Sequence, residues 1–168
     1  AVERVYAFDY ELRADRPPSF LSFKLQEVEY ARRPPVISWY LIGPDGREIA
    51  LERFSVNGPR SGEESPYKRY DVDARRSVVG SDERVFDDLV EFFGESYGSV
   101  VTLESLSHNV EAGLFGTPDE DGNFSILPGE YRIEARVLTV DENDTIASLE
   151  VVFGGGIYGA MGTDALGR

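Results

Sequence analysis

EYRIEARVLTV, residues 130 to 140, places Tyr131, Ile133, Ala135 and Val137 on one side of an extended chain and Arg132, Glu134 and Arg136 on the other. Successive side chains of a strand point to opposite faces, so this alternation predicts a strand with one face in a core and one in water. A helical period of 3.6 residues would mix the two sets. On its C-terminal side, DEND at 141 to 144 reads as a turn into a further strand, TIASLEVVF.

The same period-two pattern recurs toward the N-terminus. In VYAFDYEL, Tyr6, Phe8, Tyr10 and Leu12 share one face, while Ala7, Asp9 and Glu11 share the other. SFLSFKLQ puts Leu21, Phe23 and Leu25 together, and VISWYLI, apolar throughout, reads as a strand buried on both faces. GPDG at 43 to 46 is a hairpin turn from which REIALERFSV returns. Residues 57 to 66, NGPRSGEESP, read as an exposed loop, and YKRYDVD as an edge strand guarded by its charges. SVVTLESL and NVEAGLFG are read as further strands.

One helix is expected, at SDERVFDDLVEFFG: Ser81 is the N-cap candidate, Gly94 the C-terminal stop, and Val85, Phe86, Leu89, Val90 and Phe93 form the apolar stripe. The fold class that follows is all-β with one helix, an antiparallel β-sandwich or jelly-roll barrel of about eight to ten strands. A single domain is expected over residues 1–153, followed by a Gly-rich arm over 154–168.

Composition sets the environment. Asp and Glu number 31 against 17 Lys and Arg, a formal net charge of −14, and only Lys24 and Lys68 are lysine. Such a surface repels nucleic-acid phosphates and anionic membranes, so neither is expected as a partner. No stretch approaches the roughly 20 apolar residues of a membrane helix, so no membrane insertion is expected. The opening AVERVYAFDYELR already alternates and shows no leader pattern; Ala1 fits a removed methionine or a cleaved leader alike. Without cysteine there are no disulfides, thiolate metal sites or cysteine nucleophiles.

Little points to chemistry. His108 is the only histidine, expected at a surface or strand end, and one His builds no zinc site. GGGIYG at 154 to 159 is not followed by a helical stripe, so it is no phosphate cradle. DEDGNFSILPGE, 119 to 130, spaces Asp119, Asp121, Asn123 and Glu130 as the oxygen ligands of a twelve-residue calcium loop. Yet Phe124 holds the sixth place, where such a loop needs glycine, and no helix flanks it; a polar hairpin tip explains the same residues. Sequons occur at Asn123 and Asn143, both in expected turns. No acid, base and nucleophile assemble, so neither enzymatic activity, a cofactor nor a small-molecule substrate is expected.

Two resemblances bear on the job. LPGEYRIEARV, 127 to 137, is similar to the Leu-Pro, Gly and Tyr stretch near the end of immunoglobulin-like and prealbumin-like surface modules, which implies a tyrosine entering a sandwich core and an adhesive or scaffolding role. The whole chain, acidic, nearly lysine-free and cysteine-free, ends in VVFGGGIYGAMGTDALGR and resembles the small major capsid proteins of tailless icosahedral viruses of halophilic archaea. Those are upright single jelly rolls that tile a shell. The resemblance implies a self-assembling virion subunit whose partners are copies of itself and other shell proteins. Ile157, Tyr158, Met161 and Leu166 would then form an interaction arm, since glycine denies them a helix or strand of their own. A haloarchaeal cell-surface module, extracellular rather than in a virion, is the alternative.

Overall fold

The computed structural model describes residues 1–13, 17–18, 21–70, 74–77, 83–108, 110–154 and 156–159. In chain order the strands are β1 (Val2–Leu12), β2 (Leu21–Tyr30), β3 (Val36–Ile42), β4 (Glu48–Ser55), β5 (Tyr67–Arg69) and β6 (Ala74–Ser77). Three helices follow, α1 (Glu83–Tyr97), α2 (Leu103–His108) and α3 (Val110–Phe115). The chain continues with β7 (Gly116–Pro118), β8 (Phe124–Ile126), β9 (Gly129–Thr139), β10 (Thr145–Phe153) and β11 (Gly156–Gly159).

Among the described residues all pairings are antiparallel. The first sheet has the order β1-β9-β3-β4, and the second β11-β10-β2-β5, with β6 also along β2; β7 and β8 form a separate hairpin. Among the described residues no strand of one sheet bonds to the other, so the fold is a sandwich and does not close into a barrel. The decisive stretch is central to the first sheet: Tyr131, Ile133, Ala135 and Val137 are buried, and β9 takes β1 on one side and β3 on the other. Aromatic rings join the sheets, Trp39 of β3 lying 4.9 Å from Phe23 of β2 and Tyr10 of β1 stacking 4.3 Å from Phe153 of β10. Such close aromatic pairs add to plain area burial.

The structure corrects several expectations. SVVTLESL and NVEAGLFG supply α2 and α3, not strands. Six-residue windows with a few apolar residues fit either period, so tertiary packing decides. Here Leu106, Leu114 and Phe115 are fully buried, and Thr102 Oγ1 accepts the Ser105 N–H at 3.2 Å to start α2. The chain therefore has three helices among the described residues rather than one, and His108 ends a helix rather than a strand. Gly94 lies inside α1, which stops at Gly98, where φ is +63° and Ser99 N–H bonds back to Phe93 O at 3.0 Å. Ser81 lies outside the described residues.

VISWYLI buries only Ile37, Trp39 and Leu41; its other face is half-buried. That outer face is overlaid by long polar side chains, Arg136 stacking 3.8 Å above the Tyr40 ring while it pairs with Glu48 and Glu134. The glycine-rich tail does form a strand: β11 pairs with β10, Val152 opposite Ile157. Its backbone bonds to a preformed edge replace the propensity that it lacks.

Candidate functional site

Arg47 directly follows the GPDG turn, a place where arginine is ordinarily solvated, yet its side chain is fully buried. Gly43 makes the room, since a Cβ there would stand 2.7 Å from Arg47 Cγ. The guanidinium donates to both Asp45 oxygens, from Nε at 3.0 Å and Nη2 at 2.7 Å. Its other protons go to the carbonyls of Gly113, Leu114 and Gly116 at 2.8 to 2.9 Å. The last carbonyls of a helix have no partner within it, so Arg47 serves as the cap of α3. It also lies 5.3 and 5.2 Å from the ring centres of Phe92 and Phe93. Burial pushes the Asp45 pKa up, but bonds from Arg47 and Tyr97 outweigh it and hold the carboxyl below its usual range.

This node fastens the helices to one end of the sandwich. Asp88 of α1 accepts the Ala50 N–H of β4 at 2.8 Å, and the Tyr97 hydroxyl donates to Asp45 at 2.7 Å. Tyr131 reaches the same end, its hydroxyl donating to Leu127 O at 2.6 Å and Phe115 O at 3.2 Å. It is 1% exposed, so the tyrosine of LPGEY enters the core. The connection from α1 to α2 is thereby held in place with Val101 turned inward and its neighbours outward. Tyr97, Val100 and Leu103 are 39%, 93% and 55% exposed. Glu91, Glu95 and Glu104 are exposed on the same two helices.

At the other end, a second buried arginine orders the 57–66 loop. Arg69 of β5 donates to both Glu63 oxygens at 2.8 and 2.6 Å and to the carbonyls of Asn57 and Gly58. Tyr30 adds its hydroxyl to Asn57 O at 2.6 Å. Beside this loop, Glu27 and Tyr70 both adopt left-handed backbone, with φ of +53° and +61°, and Glu27 N–H bonds to Tyr70 O at 2.8 Å. An open groove of about 770 Å³ lies here, lined by Glu27, Glu29, Arg60, Lys68 and Tyr70 among others.

The Arg69 bonds, aided by the Arg60 N–H, take the Glu63 pKa down from an ordinary 4.5 to about 2. A carboxyl lowered in the folded state stabilises the fold fully above its unfolded value and loses that contribution as pH falls through its folded one. Thermal unfolding of the wild type is therefore expected to lose more stability between about pH 4.5 and 2 than that of Glu63→Gln. Parallel curves over that window would show the pair to be without energetic weight.

The residues singled out in the sequence are not brought to one place. Asp119 Oδ1 accepts the N–H groups of Asp121 and Asn123, each at 2.9 Å, which closes the turn between β7 and β8. Glu130 sits in β9 opposite Glu11. Among the described residues no group of three or more His, Asp or Glu is arranged to hold a metal ion. Ile157 and Tyr158 lie in β11, whereas Met161 and Leu166 are outside the described residues. Sequence reasoning missed Arg47 and the Tyr97, Val100 and Leu103 corner. Among the described residues no helix is long and apolar enough to cross a membrane. Comparisons with protein-family models, with curated proteins and with solved structures find no match for this chain.

Proposed function

We propose that this chain is a structural, self-assembling β-sandwich, best assigned as the shell subunit of a virus of halophilic archaea. The observation that carries self-assembly is the exposed corner of Tyr97, Val100 and Leu103. An apolar cluster rimmed by charged side chains has the anatomy of a protein interface, and isolation in water leaves its apolar area unused. The corner is also rigidly built, being tied to the sandwich through Tyr97, Asp45 and Arg47. Little ordering entropy is then lost on contact.

The charge of −14 with two lysines supports a molar-salt setting, in which the Debye length is about 3 Å and the self-repulsion of the chain is screened. The second reading, an extracellular immunoglobulin-like module of a haloarchaeal surface protein, is favoured by one feature, the buried Tyr131 of the LPGEY stretch.

The test is the state of association in molar NaCl, followed by sedimentation and electron microscopy. Oligomers or shell-like particles are expected from the wild type, and only monomers from Val100→Glu with an unchanged β-type circular dichroism spectrum. A wild type that stays monomeric at high concentration removes the shell reading and leaves the surface module. The melting temperature is expected to rise as NaCl increases from low to molar concentration; a flat or falling curve removes the halophilic setting.

A further inference from the structure

One peptide bond of the 57–66 loop is placed for chemistry of its own. Asn57 is the only asparagine followed by glycine, since Asn109, Asn123 and Asn143 precede Val110, Phe124 and Asp144. Glycine has no Cβ, so the Gly58 main-chain nitrogen can approach the Asn57 side chain more closely than that of any other residue. Both residues are exposed, and a Cβ on Gly58 would meet nothing within 4 Å, which leaves open space around the pair. Among the described residues neither the Asn57 carboxamide nor the Gly58 N–H has a hydrogen-bond partner.

The carbonyl between them is held firmly. Asn57 O accepts the Tyr30 hydroxyl at 2.6 Å and the Arg69 Nε–H at 3.1 Å, one neutral donor and one cation. Both donors are buried, and Arg69 is fixed in turn by Glu63 and the Gly58 carbonyl. When a peptide nitrogen gives up its proton, the negative charge is shared with the carbonyl oxygen, so donors aimed at that oxygen stabilise the anion. Tyr30 and Arg69 therefore favour the nucleophilic form of the Gly58 nitrogen. Burial raises the Tyr30 pKa above its ordinary value, and the hydroxyl stays a donor in mildly alkaline water.

We infer that Asn57 modifies itself, its carboxamide being displaced by the Gly58 nitrogen and the residue ending as isoaspartate. In the first step the deprotonated Gly58 nitrogen bonds to Asn57 Cγ, the Cγ–Nδ2 bond breaks, and Nδ2 leaves as ammonia with the proton that Gly58 gave up. The product is a five-membered succinimide. In the second step water adds to a ring carbonyl and the C–N bond of that carbonyl breaks. Tyr30 and Arg69 polarise the main-chain carbonyl, so water adds there, the chain runs on through Cγ, and the former carbonyl becomes a free carboxylate. That carboxylate forms where Arg69 Nε and the Tyr30 hydroxyl already point, and its bond to Arg69 is then charged on both sides. Nothing is oxidised or reduced, and water is the only reagent. The loop gains one negative charge and one main-chain atom beside the groove lined by Arg60 and Lys68. This inference does not depend on self-association.

The test incubates the folded full-length chain in mildly alkaline buffer, with peptide mass spectrometry locating each gain of about 1 Da and an isoaspartate-specific methyltransferase reporting the product. Conversion is expected at Asn57 at least about tenfold faster than at Asn109, Asn123 or Asn143, and faster in the folded chain than in urea. Tyr30→Phe retains the ring and is expected to slow it at least about fivefold in the folded chain, with no effect in urea, where the contact is lost. Gly58→Ala, which adds its methyl group to open space, is expected to slow it at least about tenfold with an unchanged circular dichroism spectrum. The comparison of folded and unfolded wild type stands even if Tyr30→Phe does not fold. An Asn57 that does not convert, or converts mainly to aspartate, overturns the inference. So does a rate that is no faster folded than in urea, or that a folded Tyr30→Phe leaves unchanged.

Discussion

Arg47→Ala is expected to lower the melting temperature by on the order of 10 °C. Removing one member of a buried ion pair costs about 3–5 kcal/mol, because the partner is left charged and unpaired. A kcal/mol corresponds to roughly 2–4 °C in a chain of this size. The arginine is fully buried, so little solvent screening reduces that figure. Alanine would also orphan the carbonyls of Gly113, Leu114 and Gly116 and open the space under Phe92 and Phe93. Arg47→Lys is expected to recover only part of the loss, since one ammonium cannot bond Asp45 and three carbonyls in a fork. Calorimetry on the three proteins decides it: a loss below about 1 kcal/mol for alanine would mean that water satisfies α3.

The second large effect is expected at Trp39, where the size of the loss depends on the replacement. The indole is 1% exposed and lies between Phe8 of its own sheet and Phe23 of the other, at 6.0 and 4.9 Å. Trp39→Ala removes the plug between the layers and is expected to cost about 3–5 kcal/mol. Its Nε1 donor has no hydrogen-bond partner among the described residues, and an unpaired buried donor itself costs about 1–3 kcal/mol. Trp39→Phe removes that donor and retains most of the ring, so it is expected to cost at least about 2 kcal/mol less than alanine. Equal losses for the two variants in denaturant titrations would show that the indole N–H is satisfied.

What was legible in the sequence follows from where each residue's partners lie. Alternation at 130 to 140 is a local property and gives β9 to within a residue; the same holds for β10, the 43–46 turn and the hairpin tip at Asp119 to Asn123. α1 was visible because Val85, Leu89 and Phe93 repeat over enough turns to define a face. α2 and α3 span six residues each, too few for a period to show, and their helicity depends on Arg47 and the buried Leu106, Leu114 and Phe115. Arg47 itself looks like any charged residue after a turn, because its acceptors are 66 to 69 residues away along the chain. Val100 was hidden for the opposite reason: of two adjacent valines, nothing local says whether Val100 or Val101 will face the core.

The central position of β9 also constrains how the molecule is made. It is the only described partner of β1, with Val2 opposite Thr139, and it separates β1 from β3. β10 plays the matching part between β2 and β11. A ribosome therefore releases most of the chain before either sheet can close, and β1 and β2 wait with edges that are still unpaired. At synthesis rates of about 5–20 residues per second that wait lasts seconds, long enough for neighbouring nascent chains to meet. The excess of carboxylates lies wholly in residues 81–168, since residues 1–80 hold 13 acidic and 13 basic side chains, so the waiting strands gain net repulsion only as the helices that precede β9 emerge.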